Sequence, residues 1–179
     1  MLLTEIPVVD AVLQTHAAEL GDDFTGYRNH TYRVLNLCVA LRSMNGEQLR
    51  RLFVAAAFHD LGIWTNRSFD YIEPSAGLAC AHLAGTGKTE WQPEVSGMIQ
   101  EHHRITRYRK EPASLIEPFR QADWIDVSRG IVTFGLPRKV LREIFAAWPD
   151  AGFHRRLMQL ALKRLRTHPR NPLPMLKWR

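Results

Sequence analysis

Apolar residues recur three or four positions apart along most of the chain, and this spacing places them on one face of an α-helix. In residues 7–20 such a stripe contains Val9, Leu13 and Leu20, and Gly21 follows as a stop signal. Runs of β-branched residues and strict apolar–polar alternation, the signals of strands, are scarce. The spacing predicts helices over residues 7–20 and 26–44, a third that begins after Asn45-Gly46, and further helices over 74–84, 90–103, 114–128, 137–147 and 151–166.

These elements predict an all-α, single-domain helical bundle. A length of 179 residues is enough for one sizeable hydrophobic core and short for two domains. We therefore expect one helical domain over residues 1–166, followed by a basic, proline-containing C-terminal tail over residues 167–179.

The net charge of +6 is concentrated near the C-terminus. From residue 151 onward the chain contains eight Lys or Arg residues and no acidic residue. A basic segment with prolines can contact nucleic acid or another acidic surface. The same composition is typical of a solvated last helix followed by an extended arm that packs on the domain. The tail alone therefore assigns no function, and nucleic acid is not an expected partner.

Composition also bears on the compartment. No apolar run is long enough to span a membrane, and the N-terminus lacks the basic start and the cleavage site of a signal peptide. Cys38 and Cys80 lie in apolar surroundings, as small core residues do in a reducing compartment. These features predict a cytoplasmic protein without a membrane partner, and leave self-association into a homo-oligomer open.

The stretch LFVAAAFHDLGIW, residues 52–64, ends a near-continuous apolar run with His59 and Asp60. Burying an aspartate without a partner is costly. Either this pair lies at a helix end that reaches the surface, or a positive charge is present inside the protein. Because adjacent residues point apart on a regular helix, the two side chains can converge only where the backbone turns, and Gly62 supplies such an end.

Three other titratable residues, His30, His102 and Asp123, lie on the apolar stripes of three further helices. Each of them alone is typical of a hydrogen-bonded packing residue. A bound cation would account for all of them together, because it neutralises buried carboxylates and accepts imidazole nitrogens as ligands.

The order His, then His-Asp, then Asp resembles the HD domain superfamily of metal-dependent phosphohydrolases. NHTYRVLNL resembles the first helix of the family, FHDLGIW its His-Asp helix end, MIQEHHR a helix that often supplies a further active-site histidine, and FRQADWIDV the helix with the last ligand. The resemblance covers about residues 26–128. It implies an HD-type bundle in which His30, His59, Asp60 and Asp123 hold one divalent metal ion. Two imidazoles and two carboxylates suit Mn, Fe, Co, Ni or Zn better than Mg.

A second metal ion is a further possibility that the resemblance raises. Some branches of the superfamily bind two ions, with one histidine in an H-P-x-x-G setting. Here the matching stretch is EPSAG, so Glu73 takes that position, and Pro74 fits the first position of a helix. Glu73 could ligate a second ion, act as an acid/base group beside the metal, or serve only as an N-cap anion favoured by the helix dipole. His102 could complete a two-metal site or contact the substrate.

The resemblance also implies roles around the metal. Asp60, or Glu73 if its carboxylate reaches the metal, would orient a water molecule or take its proton. His102 and Arg33 would face the charge that develops in the transition state. Arg104 begins a basic cluster that could clamp a phosphate, although solvated surface charge explains it equally well. Asp126, one turn after Asp123, is expected to support the site or to lie at the surface. The expected catalytic residues are Asp60, Glu73 and His102, and the expected substrate-binding residues are Arg33, His103 and Arg104.

The expected function is that of a metal-dependent hydrolase of the HD superfamily, a phosphohydrolase whose partner is a small phosphorylated molecule such as a nucleotide. Two alternatives remain. One is an HD-type hydratase or lyase similar to cyanamide hydratase, which needs a single metal and an apolar pocket without a phosphate clamp. The other is a non-catalytic HD module with a regulatory or nucleic-acid-binding role, in which the basic tail makes the contact.

Overall fold

A computed structural model of the chain describes residues 2–177. Within this range the protein contains α-helices and short 3-10 turns but no β-strand, which confirms the predicted all-α fold. The helices are α1 (Pro7–Thr15), α2 (Ala17–Leu20), α3 (Phe24–Leu41), α4 (Gly46–Phe58), α5 (Gly62–Thr65), α6 (Ile72–Gly85), α7 (Gln92–Glu101), α8 (Ile116–Val127), α9 (Arg138–Ala147) and α10 (Phe153–Thr167).

The predicted helices lie close to the observed ones, with two differences. The predicted helix over residues 7–20 is divided at His16 into α1 and α2. The one-turn helix α5 was not predicted, because four residues are too few to show a periodic pattern. The start of α4 follows the sequence signal, since Asn45 and Gln48 form a reciprocal capping box.

Helix α3 lies at the centre of the bundle. Most of its residues from Gly26 to Cys38 are buried, because α4, α8 and α9 pack around it. Helices α6 and α7 pack against each other and close the side next to α4. This arrangement brings the middle of α3 and α8 close to the C-terminal ends of α4 and α7.

The turn after α4 holds the His-Asp pair. Helix α4 ends at Phe58, His59 keeps a helical backbone (φ −55°, ψ −38°), and α5 begins at Gly62. Gly62 therefore begins the short helix α5 and does not supply the helix end that the sequence led us to expect. It is required by close packing instead, because a Cβ there would lie 2.6 Å from the carbonyl oxygen of Tyr71 and 2.8 Å from Ser75 Oγ.

The C-terminal arm, residues 168–177, follows α10 and packs on the domain. The amide of Ile105 donates a hydrogen bond to the carbonyl of Lys177 (2.9 Å), and Met175 is buried. This packing fits the extended-arm alternative for the basic tail. The domain boundary at residue 166 stays a prediction, and residues 178–179 of the predicted tail lie outside the described residues. None of the described helices has the length and apolar character needed to cross a membrane.

Candidate metal centre

Four elements bring the sequence-predicted ligands together inside the bundle. His30 comes from the middle of α3, Asp123 from α8, and His59 and Asp60 from the turn after α4. His102 follows the last residue of α7 and lies beside them. All five side chains are buried. The sequence pattern therefore identified a real cluster in the core.

The rings of His30 and His59 face each other through acceptor nitrogens. His30 Nδ1 donates a hydrogen bond to Asp126 Oδ2 (2.6 Å), and His59 Nδ1 donates to the carbonyl of Ala56 (2.8 Å). In the neutral rings these bonds leave Nε2 of each histidine with a lone pair. The two Nε2 atoms are nevertheless only 2.8 Å apart. Two lone pairs at this distance repel each other, so either one Nε2 is protonated and donates to the other, or both nitrogens face a cation.

Two carboxylates surround this pair of nitrogens. Asp60 Oδ2 lies 3.5 Å from His30 Nε2 and 3.6 Å from His59 Nε2. Asp123 Oδ1 lies 3.7 and 3.8 Å from the same two atoms. Within residues 2–177, neither oxygen of Asp123 has a hydrogen-bond partner, although both are buried. Buried carboxylate oxygens without donors are costly, so the donor set fits a divalent cation, and His30, His59 and Asp60 alone form a group able to hold one.

A second group able to hold a metal ion adjoins the first and shares Asp60 with it. Asp60, His102 and His103 each offer a ligand atom, and these atoms lie within 4.8 Å of one another. His102 Nδ1 donates to the carbonyl of Ile99 (2.6 Å), so its Nε2 is an acceptor, 3.3 Å from Asp60 Oδ1. Neither of these two atoms has a hydrogen-bond partner among the described residues. The second group takes His102, as the sequence suggested, together with His103.

Burial and close charges shift the pKa values of the cluster. Burial lowers the pKa of His59 to about 3, which keeps this ring neutral. Burial also acts against protonated His30, but hydrogen bonds with Asp126 and Asp60 outweigh it and raise the pKa of His30 to about 9. Burial and the neighbouring carboxylates raise the pKa of Asp123 to about 7. Near neutral pH the metal-free cluster therefore holds a proton on His30 and, in part, on Asp123, and a bound cation would displace these protons.

Asp60 remains ionised inside the protein. Burial disfavours its charged form, but the neighbouring His59, His102 and His30 hold its pKa well below the usual range. The pKa of His102 is raised, since the attraction of the nearby Asp60 and Asp123 carboxylates outweighs the effect of burial. Burial and the charge of His102 lower the pKa of His103.

Asp126 and Arg33 form a buried pair behind His30. The guanidinium of Arg33 donates two hydrogen bonds to the carboxylate of Asp126, one of them to Oδ2 at 3.0 Å, and further ones to the carbonyls of Trp148 and Pro149. Arg33 is fully buried, so the expected contact with substrate does not fit its position. Asp126 is fully buried too and orients His30, which agrees with a supporting role and not with a place at the surface.

Two other predicted residues lie away from the cluster. Glu73 is exposed in the first turn of α6, where Tyr71 rather than Glu73 is the N-cap, and Gln100 Nε2 donates to its carboxylate at 3.3 Å. This placement fits the helix-dipole alternative and neither of the two metal-centred ones. Arg104 pairs with Glu101 Oε2 (3.1 Å) and donates to Thr106, so its guanidinium is bound by these neighbours and does not contact the cluster.

Tyr71 and Phe153 complete the surroundings of the cluster, and the sequence did not indicate either. The hydroxyl of Tyr71 forms a hydrogen bond with His103 Nε2 (2.6 Å), and Phe153 stacks on the ring of His30 with centroids 4.0 Å apart. His103 in turn places Nδ1 3.3 Å from Asp123 Oδ2. Both aromatic residues begin or precede helices, where no periodic pattern marks them as inward-facing.

Comparison of the chain with protein-family models, with curated proteins and with solved structures finds no match. The likeness to the HD superfamily therefore rests on residues of this chain alone, above all His30, His59, Asp60 and Asp123.

Proposed function

We propose that the protein is a metal-dependent hydrolase of the HD type, in which His30, His59, Asp60 and Asp123 hold one divalent ion. The observation that carries this proposal is the convergence of two imidazoles and two carboxylates in the core: Asp60 Oδ2 and Asp123 Oδ1 lie 3.5–3.8 Å from both His30 Nε2 and His59 Nε2. A purely structural core has no need to bury both oxygens of Asp123 and Oδ1 of Asp60 without a hydrogen-bond donor, because unpaired buried carboxylate oxygens are costly. The ligand types favour Mn, Fe, Co, Ni or Zn.

The proposed substrate is a small phosphorylated molecule, such as a nucleotide. A divalent ion in such a site supplies Lewis acidity and lowers the pKa of a water molecule towards neutrality. Asp60, ionised and with Oδ1 free of protein donors within residues 2–177, would accept a hydrogen bond from the attacking water and orient it. His102, whose pKa is raised, would carry the proton that the leaving oxygen needs.

A second candidate reaction, the addition of water to a small uncharged substrate by an HD-type hydratase, is favoured by one observation. The arginine expected to clamp a phosphate, Arg33, is fully buried and bonded to Asp126. Arg104 is held by Glu101. With Arg33 and Arg104 both engaged by carboxylates, the arginines that the sequence offered to a phosphate dianion are less available than expected.

Release of inorganic phosphate from a panel of phosphomonoesters tests the proposal. The protein is reconstituted separately with Mn, Fe, Co, Ni and Zn, and a panel of nitriles is assayed in parallel for hydration. We expect phosphate release with at least one metal, its loss in Asp60→Asn, and its retention in Asp22→Asn, which removes an exposed carboxylate outside the cluster. Hydration of a nitrile without phosphate release would favour the hydratase, and inactivity in both panels would contradict both reactions.

A further inference from the structure

A cavity of about 510 Å³ adjoins the candidate metal centre. Its walls come from α8, from α10, from the segment before α6 and from the C-terminal arm. This volume is within the range of pockets that hold small molecules, roughly 300–1,000 Å³. The lining includes Tyr71 and His103 at the inner end, Trp124 on α8, Ala161 and Met158 on α10, and Met175 on the arm.

The inner end of the cavity reaches the metal ligands through one side chain. His103 lines the cavity and places Nδ1 3.3 Å from Asp123 Oδ2, while Tyr71 holds the other ring nitrogen. His103 also belongs to the second metal-capable group, with Asp60 and His102. None of the four proposed ligands lines the cavity, so His103 and Tyr71 are the side chains that separate its inner end from the metal centre.

The lining is apolar, and its polar groups are largely engaged. Tyr71 and His103 bond to each other, and His154 bonds to Asp150 and to the carbonyl of Asp126 (2.9 Å). Arg129 is the one residue with a permanent charge in the lining that the structure describes, and it lies at the surface. The remaining lining residues are Phe69, Trp124, Val127, Leu157, Met158, Ala161, Leu173, Met175 and Leu176.

Large apolar side chains of this lining remain open to solvent. Met158 is 62% exposed and Leu173 is 39% exposed, on opposite walls. Exposed apolar surface that faces a concave space adjoining polar, perturbed groups marks a ligand site more often than a packing defect. The apolar walls and the polar inner end together match a molecule with an apolar body and one polar end.

We infer that this cavity encloses an apolar, non-reacting part of the substrate, an aryl or acyl group, while the reacting group lies at the candidate metal centre. The inference rests on the proposed function and narrows its substrate class. A nucleoside fits poorly, because its ribose hydroxyls and base edges would be buried against carbon atoms without hydrogen-bond partners. The substrate class is therefore a phosphate ester of an apolar alcohol, or another amphipathic compound whose non-reacting part is equally apolar.

Calorimetric titration of the chelator-treated, full-length protein with 1-naphthol and, separately, with adenosine tests this inference. Both probes lack a phosphate, so neither needs the metal. We expect 1-naphthol to bind with a Kd at least tenfold lower than that of adenosine. Ala161→Trp, which fills the cavity from α10, should raise the Kd of 1-naphthol at least tenfold. Leu162→Trp, the matched control on the neighbouring position outside the lining, should change it less than twofold.

The outcomes separate this inference from the proposed function. If Ala161→Trp fails to fold by circular dichroism, Met158→Trp replaces it, since its side chain is already exposed. Equal affinities for 1-naphthol and adenosine, no binding of 1-naphthol, or wild-type binding of 1-naphthol by the folded cavity variant would overturn the inference. None of these results bears on metal content or phosphate release, which are measured on metal-loaded protein. Conversely, a protein that binds 1-naphthol but takes up no metal on reconstitution would refute the proposed function and leave the binding of an apolar group by the cavity standing.

Discussion

His30 Nε2 lies 2.8 Å from His59 Nε2, while the Nδ1 atoms of both rings are already used as hydrogen-bond donors. In the metal-free chain a proton on His30 Nε2, donated to His59 Nε2, keeps the two lone pairs from facing each other, and a bound cation would take the place of that proton. Asp60 and Asp123 supply the negative charge that attracts such a cation. The proposal that this protein is a metalloenzyme depends on how these two imidazoles and two carboxylates are placed.

Metal binding should stabilise the fold. At a free metal concentration about 100 times the Kd, binding to the folded chain alone adds about 2.7 kcal/mol. For a chain of this size, that corresponds to a rise in Tm of roughly 5–10 °C. Calorimetry with and without a chelator measures the shift. His59→Ala should abolish it, and His82→Ala, which changes a half-buried histidine on α6, should keep it. An identical Tm with and without metal in the wild type would contradict this prediction.

Asp126→Asn should weaken metal binding although Asp126 contacts no metal. Asp126 fixes the orientation of His30 and neutralises Arg33. Losing such support for a ligand costs about 10- to 100-fold in metal affinity. The buried Arg33 would also lose its partner, which costs on the order of 3–5 kcal/mol of unfolding free energy. Chelator competition and urea unfolding measure the two effects, and a metal affinity within twofold of the wild type would count against this role.

Gly62→Ala should destabilise the protein through a clash. The new Cβ would lie 2.6 Å from the carbonyl oxygen of Tyr71 and 2.8 Å from Ser75 Oγ, which leaves α6 no room. Overpacking of this kind costs about 1–3 kcal/mol of unfolding free energy. Gly77→Ala is the matched control, because it lies on α6 with nothing within 4 Å of its Cβ position. We expect that variant to gain roughly 0.5–1 kcal/mol. Equal urea midpoints for Gly62→Ala and the wild type would show that Tyr71 and Ser75 leave room for a Cβ at position 62.

Glu73→Gln should keep metal content and kcat/KM within about twofold of the wild type, since Glu73 is exposed and contacts Gln100. His102→Gln should lower kcat/KM by about 100-fold or more if this imidazole transfers a proton. The two variants are compared by steady-state kinetics on the same phosphomonoester. A large loss of activity in Glu73→Gln would return Glu73 to the catalytic role that the sequence allowed.

The sequence predicted the fold well because the periodic pattern depends only on which helix faces are buried. It also identified His30, His59, Asp60, His102 and Asp123 as inward-facing, and the structure brings all five together. They converge because His30 and Asp123 lie inside helices that cross the core. His59, Asp60 and His102 follow the ends of α4 and α7, which meet at the same place.

Two side chains differ from expectation for reasons that spacing cannot reveal. Arg33 shares the buried face of His30, but its long side chain turns to Asp126 and two carbonyls instead of the site. Glu73 matches a motif position, but α6 begins one residue before it, at Ile72, so its side chain points to solvent. Tyr71 left no signal, since its contact with His103 depends on how a loop packs.

Elemental analysis of the purified protein, wild type beside Asp60→Ala and Asp22→Ala, tests the central claim most directly. The account predicts about one equivalent of Mn, Fe, Co, Ni or Zn in the wild type and in Asp22→Ala, and its loss in Asp60→Ala, which removes a carboxylate shared by both metal-capable groups. A second equivalent would place an ion with His102 and His103 as well. No metal in the wild type, even after reconstitution with each of these ions, would contradict the account.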